Sequence, residues 1–366
     1  MPVNCPPVPP GALAPGDFAP WFTLSSDLRK DFSLSSLGGL RTLLFLFGTS
    51  SAGEVAAFLA ELEKHAPRLQ QLGIIVVGIS MVAADRARLI REPVPWMRVL
   101  FDDNGAVSRQ YGVYRGGNDY FPTMLLLNEN LRVVEVLPLR EPTELIRQTI
   151  EAVERLPIAD PYGAARLQAP VLLIPHVLSA GFCQELIDHH HLSGGVDSAF
   201  MQERDGMTHA VLDHTFKRRR DVHLVEPVLL SKVNRQITRR VTPEVFKAFQ
   251  FQITRFERHL IACYSGEDRG EFAAHRDNTT RGTAHRRFAM TLNLNEGAYE
   301  GGELRFPEYG NALFRPRTGE AVLFSCSLQH QALPVTKGRR FALLSFFYDE
   351  PARQVREANL SFVTDD

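Results

Sequence analysis

The sequence predicts two domains of different class: an α/β domain, then an α+β domain built on a double-stranded β-helix, or jelly roll. Three observations carry that reading. The chain has 366 residues, enough for two separate cores. Its first half alternates strand and helix patterns, whereas its second half opens on helices and continues as short strands set apart by glycine-rich turns. Between them, Pro157, Pro161, Gly163 and Pro170 punctuate a stretch with the composition of a linker. The expected layout is an extended arm over 1–16, an α/β domain over 17–156, a linker over 157–169, the jelly roll over 170–350 and a tail over 351–366.

Charge and cysteine usage narrow the function classes. A net charge of −1 gives no global field for nucleic acid or an anionic membrane. The run Lys217-Arg218-Arg219-Arg220 reads as solvated surface or a phosphate-tolerant loop. No apolar stretch has the length of a membrane span. The proline-rich start, with Pro2, Pro6, Pro7, Pro9, Pro10 and Pro15, lacks the basic and apolar regions of a signal peptide. Cys5, Cys183, Cys263 and Cys326 are scattered, without a CxxC pair or zinc spacing, and read as reduced thiols of a cytoplasmic protein. Oligomeric state is not legible.

In the first half, 43–47 is an apolar run of strand length. Residues 54–71 have helical spacing at Val55, Phe58, Leu59 and Leu62, with Pro67 expected to kink or divide the helix and Gly73 placed to end it. Residues 74–79 form a buried strand. Residues 122–127 and 133–137 form a hairpin through Asn128-Glu129-Asn130, and 141–156 a helix with Pro142 in its first turn. In the second half, 171–174 is a short strand and Ser179 an N-cap for a helix bearing Phe182, Leu186 and Ile187. His189, His190 and His191 end that helix. Consecutive helical residues point about 100° apart, so the run reads as a solvated last turn rather than a metal site. Residues 196–224 are polar and read as loop-rich. Pro227 and Pro243 start helices, and strands follow at 258–264, 271–277, 287–294, 304–306, 321–325 and 340–348.

With Gly16-Asp17-Phe18-Ala19-Pro20 and Tyr120-Phe121-Pro122-Thr123, the order of elements over 16–156 resembles the peroxiredoxin branch of the thioredoxin superfamily. The resemblance implies a cis peptide before Pro122. It also implies a reactive cysteine just after the first core strand, where a helix N-terminus lowers the thiol pKa. That junction reads Phe47-Gly48-Thr49-Ser50-Ser51-Ala52-Gly53-Glu54 and holds no cysteine. A serine hydroxyl cannot replace a thiolate in peroxide reduction. The domain is therefore expected to keep a thioredoxin-like fold without thiol chemistry, either as a purely structural unit or as a peptide-binding groove beside Pro122.

The chemistry lies in the second half. His275 and Asp277 are two apart, so on an extended strand they point to the same side. A distant His330 would complete two imidazoles and one carboxylate, a set that suits non-haem Fe(II) and leaves adjacent positions for a chelating co-substrate and O2. Alone, H-x-D followed by a histidine is a weak signal in a chain with 12 histidines. The accompanying pieces, in order, are Tyr264, Thr291-Leu292-Asn293-Leu294-Asn295, residues 299–306, residues 316–324, and Arg340.

Together, over about 170–350, these pieces resemble the prolyl 4-hydroxylase-like branch of the Fe(II)- and 2-oxoglutarate-dependent dioxygenases. The resemblance implies that His275, Asp277 and His330 hold Fe(II), and that 2-oxoglutarate and O2 are co-substrates. It implies that Arg340 pairs with the distal carboxylate of 2-oxoglutarate, a task for a planar, permanently charged fork. Arg339 is adjacent, and strand alternation lets only one of the two face inward. Tyr264 and Asn293 either hydrogen-bond the same co-substrate or pack in the sheet. Cys326, four residues before His330, reads as a small buried hydrophobe near the metal, and His209, His214 and His285 fall outside the ligand pattern. Loops at 196–224 and 278–286 are expected to select a substrate that is a peptide, a protein or a small molecule; prolyl residues, other side chains and free small molecules all fit. The competing reading is a thioredoxin-like redox or binding protein with an accessory or degenerate jelly roll. Iron content and succinate formation separate the two.

Overall fold

The computed structural model describes residues 13–26, 32–91, 96–139, 141–156 and 168–363. The chain divides into two compact units, Met1–Gly163 and Ala164–Asp366. Most of the expected arm (1–12), most of the linker (157–167) and the last three residues of the tail lie outside the described residues. No described helix is long and apolar enough to cross a membrane.

The first unit is a seven-stranded sheet in the order Phe32–Ser33, Thr23–Ser26, Arg98–Phe101, Ile74–Ser80, Arg41–Gly48, Thr123–Leu127, Val133–Pro138. Ile74–Ser80 runs parallel to both its neighbours, and the other pairs are antiparallel. Strand Arg41–Gly48 is covered on both faces, which is why its apolar run is unbroken. Leu43, Phe45 and Phe47 pack on Val55, Phe58 and Leu62 of helix Gly53–Gln71 and on Leu145 and Ile146 of helix Pro142–Glu154. Leu44 and Leu46 meet Phe22, Leu34 and Tyr111 on the other side.

Two expectations for this unit are corrected. Helix Gly53–Gln71 runs through Pro67 without a break; the lost backbone bond falls near the helix end on an exposed face, where water can take the freed carbonyl. The Phe121–Pro122 peptide is trans, and no cis peptide occurs among the described residues. The Phe121 N–H donates to the Val113 carbonyl at 2.8 Å and the Pro122 carbonyl accepts from Leu139 N–H at 2.9 Å. The trans backbone is thus paired on both sides of the bond, in the form X–Pro intrinsically prefers.

At the cysteine-free junction Ser50 is buried. The Ser50 N–H donates to Asp85 Oδ2 at 2.7 Å, its hydroxyl donates to Asp85 Oδ1, and Ser80 Oγ donates to Asp85 Oδ2 at 2.8 Å. Arg88 in turn donates to the Ser50 hydroxyl. These contacts pin the junction to helix Ala83–Arg91, an element whose polar sequence hid it from periodicity analysis.

The second unit is a pair of antiparallel sheets, the jelly roll. The larger runs Leu172–Ile174, Ala321–Ser325, Phe288–Asn293, Val335–Tyr348, Arg255–Ser265, Arg220–His223, Val196–Asp197. The smaller runs Lys217–Arg218, Glu271–His275, His330–Ala332, Leu304–Arg305, Leu313–Phe314. Helices Ala180–Ser193, Pro227–Arg240 and Thr242–Phe249 back the larger sheet. Ile261, Cys263, Phe341 and Leu343 point towards them, and strand alternation turns Leu260, Tyr264, Arg340 and Leu344 to the interior cavity. Ser179 caps the first helix by accepting from Phe182 N–H.

Three further expectations change here. Residues 196–224 are largely strands, including the hairpin Phe200–Arg204/Met207–Val211 around Gly206 at φ 76°. Their short, polar sequences lack the alternation that marks a half-buried strand. The basic run is only partly solvated: Arg220 is exposed, whereas Lys217 is 5% exposed and the Arg219 side chain is buried. His190 is buried against Phe341, with ring centroids 5.2 Å apart, while His191 stays exposed. The tail begins with helix Glu350–Ala358, capped by Asp349.

A cysteine-free junction predicts no thiol-peroxidase activity. Metal-free protein given hydrogen peroxide and a dithiol should consume no peroxide above the buffer rate. Consumption that disappears when any one cysteine is replaced would show the opposite.

Candidate metal centre

Strands Glu271–His275 and His330–Ala332 pair antiparallel with His275 directly opposite His330, which brings their rings to 4.3 Å. Asp277 lies just past the strand end. Its N–H donates to the Cys326 carbonyl at 3.0 Å, which folds the chain back towards the partner strand. His275 Nε2 is 3.5 Å from Asp277 Oδ1 and His330 Nε2 is 3.4 Å from Asp277 Oδ2. One ligand atom from each residue lies within 4.8 Å of the others.

The surroundings fix the orientation of each imidazole. His275 Nδ1 donates to the Ala273 carbonyl at 2.7 Å and His330 Nδ1 to the Leu328 carbonyl at 3.0 Å. A carbonyl can only accept, so each ring carries a proton on Nδ1 and turns Nε2 towards Asp277. Phe272 stacks on His275 at 3.5 Å and Phe324 lies 4.5 Å from His330. Burial pushes the Asp277 carboxyl up, but His330, His275 and Arg286 outweigh it and hold the group below the usual carboxylate range. Burial pushes His330 down to about 4, against the pull of Asp277. A carboxylate faced by two Nε2 atoms is the donor set that metal binding needs, with any proton on Nε2 released as the metal binds. Two nitrogens and one oxygen fit Fe(II).

The cluster opens on a cavity of about 430 Å³. Arg340 is 3% exposed and lines it, with Nη2 3.3 Å from Thr291 Oγ1 and the guanidinium 5.2 Å from the Tyr264 ring centre. Gly302, at φ 70°, leaves space for the Arg340 stem: a Cβ there would come within 3.0 Å of Arg340 Cδ. Arg339 faces outward and pairs with Glu267 at 3.0 Å. Tyr264 is buried on the cavity wall, its hydroxyl accepting from Arg219 at 3.2 Å. Asn293 lies behind the lining; its amide donates to the Pro316 carbonyl at 2.9 Å and accepts from Tyr299 Oη at 3.1 Å. Cys326 is fully buried, and burial followed by the nearby Asp277 pushes its thiol well up.

Sequence reasoning missed four basic residues of the lining: Lys217, Arg219, Arg258 and Arg286. Arg286 grips Glu257 through two bonds of 2.7 Å and lies 4.0 Å over Phe346. His285 Nε2 donates to the same carboxylate at 2.9 Å. Only Arg258 left a trace in the sequence, since alternation along its strand puts it on the face of Tyr264.

Two family models match the chain, one in each unit. The model of the 2OG-Fe(II) oxygenase superfamily matches residues 259–348, and that of the AhpC/TSA family matches residues 15–136. A PKHD-type hydroxylase of Saccharophagus degradans is 40% identical over 97 residues, covering 24% of this chain and 41% of the relative. A PKHD-type hydroxylase of Shewanella oneidensis is 30% identical over 158 residues, covering 40% of this chain and 69% of the relative. The chain thus spans about two-fifths of the first relative's length and just over two-thirds of the second's. A prolyl hydroxylase of Trichoplax adhaerens, solved with a peptide fragment, superposes with a TM-score of 0.42 at 18% identity, over 50% of this chain and 86% of that one.

Two buried imidazoles set a pH dependence. Burial holds His330 and His259 at about 4, against 6.5 when unfolded. Between those values the unfolded chain binds more protons, so stability falls as pH drops from about 6.5 to about 4, by up to about 3 kcal/mol per imidazole. Metal-free protein should show its urea midpoint falling across that window, with a shallower fall in His259→Gln. A midpoint that stays level from pH 6.5 to 4 would contradict this.

Proposed function

The chain belongs to the 2OG-Fe(II) oxygenase superfamily, and we propose that it is an Fe(II)- and 2-oxoglutarate-dependent hydroxylase centred on His275, Asp277 and His330. One observation carries the reading. The cluster faces the same cavity as Arg340, a buried guanidinium with no carboxylate partner among the described residues.

In this reading His275 and His330 hold the metal through Nε2, and Asp277 through its carboxylate. Bound Fe(II) supplies the site where O2 and 2-oxoglutarate react, giving succinate, CO2 and a hydroxylated product. Arg340 orients the distal carboxylate of 2-oxoglutarate, held in place by Thr291 and by the face of Tyr264. Leu344, Phe346 and Ala289 line the cavity with apolar surface that limits water around the reacting groups. Asn293 supports the wall through Pro316 and Tyr299 rather than through the co-substrate. The substrate is a peptide, a protein or a small molecule. Cys183, Cys263 and Cys326 are free and buried, which supports a reducing, cytoplasmic setting. The first unit folds on its own and contributes no ligand to the metal or to 2-oxoglutarate; it serves as a scaffold or a recognition module.

His275→Ala should lose both iron retention and succinate formation. Full iron stoichiometry in that variant would remove His275 from the ligand set. Arg340→Ala should retain iron but need about 100-fold more 2-oxoglutarate, because it strands a buried carboxylate. Arg339→Ala should leave that requirement unchanged, and the reverse pattern would move the role by one residue. A fragment starting near Asp160 should bind iron and turn over 2-oxoglutarate slowly. If it folds, stays soluble and binds neither, the two units are not independent.

A further inference from the structure

We propose that the substrate carries a carboxylate that docks at Lys217 and Arg258; this rests on the hydroxylase reading above. Two ion clusters flank the metal site, and each holds two cations and one carboxylate. In the first, Asp221 is gripped by Arg219 through bonds of 2.7 and 2.6 Å. Among the described residues the Lys217 ammonium has only neutral acceptors, Ser198 Oγ at 2.6 Å and the Ala199 carbonyl at 2.7 Å, which leaves one of its three hydrogens to donate. In the second, both oxygens of Glu257 are taken by Arg286. Arg258 Nε lies 3.6 Å from that carboxylate and is buried without a hydrogen-bond partner. With Lys217 protonated, each cluster carries one surplus positive charge.

The co-substrate does not account for that surplus. A divalent iron, Asp277, the 2-oxoglutarate dianion and Arg340 together sum to zero charge. Arg340 pairs in register with Tyr264 at one end of strand Arg255–Ser265, while Arg258 lies towards its other end. Lys217 stands 4.8 Å over the Phe272 ring, which stacks on His275. An acid held there is next to the metal site and separate from Arg340. Burial, then repulsion from Arg219, pushes Lys217 well below its ordinary range, and an incoming carboxylate would favour its charged form. A neutral substrate would seal both cations in the cavity uncompensated.

The test is anaerobic calorimetry on iron-loaded, full-length protein with saturating 2-oxoglutarate, using two matched probe pairs. Acetyl-Gly-Asp-Gly-amide against acetyl-Gly-Asn-Gly-amide represents an acidic side chain in a peptide. N-acetylglycine against N-acetylglycinamide represents a small free acid. At least one acid should bind about tenfold or more tighter than its amide. Which one does so identifies the source of the carboxylate. Lys217→Met and Arg258→Met should each erase that preference while the affinity for 2-oxoglutarate stays within about twofold. The proposal is overturned if neither acid outbinds its amide, or if both variants keep the preference. Basal succinate formation by the unsubstituted protein is measured in parallel. Its absence would sink the hydroxylase reading and is a separate result from loss of acid preference.

Discussion

Everything at the candidate centre depends on one strand pair. The ladder between Glu271–His275 and His330–Ala332 sets two histidines opposite each other that are far apart in the chain. A one-residue slip would turn one of them to the other face of the sheet, so the register is itself the metal site. Asp277 cannot be part of the ladder. It reaches the cluster only because its N–H bonds to the Cys326 carbonyl across the same pair of chain segments. The backbone carbonyls of Ala273 and Leu328 then turn both imidazoles. Ligand geometry here is written mainly in backbone hydrogen bonds, which no side-chain motif displays.

The cavity wall follows a second constraint. The interior of a jelly roll is shielded from water, and a charge placed there needs a partner or a ligand. The lining nevertheless gathers Lys217, Arg219, Arg258, Arg286 and Arg340 around a single lining carboxylate, Asp277. Asp221 and Glu257 offset part of this from behind. What is left uncompensated is cationic, which matches an enzyme whose co-substrate, and in our proposal whose substrate, arrives as an anion.

The first unit keeps its sheet and helix order around a strand-to-helix junction that holds no cysteine. The Ser50–Asp85–Ser80 network occupies the strand-to-helix junction with satisfied hydrogen bonds. Such a network ties the turn to helix Ala83–Arg91 and contains no thiol. A match to the AhpC/TSA family over 15–136 therefore describes architecture.

Much of the architecture and the centre of the site were legible in the sequence. Apolar periodicity marked the strand at 41–48 and the helices at 53–71 and 142–154, and Pro142, Ser179 and Pro227 marked helix starts through local chemistry. His275 and Asp277 stood out by spacing; alternation allowed only one of Arg339 and Arg340 to face inward, and the family resemblance favoured Arg340. Local patterns of this kind survive because period and capping act within a few residues. Tertiary structure alone decided the rest. It kept Phe121–Pro122 trans through bonds to Val113 and Leu139, made strands of polar residues at 196–224, and buried His190 against Phe341. Above all it turned the basic run at Lys217 inward and brought Arg286 to Glu257. Those outcomes depend on contacts between distant segments, where burial and charge pairing override what composition suggests, and only the folded chain specifies which segments meet.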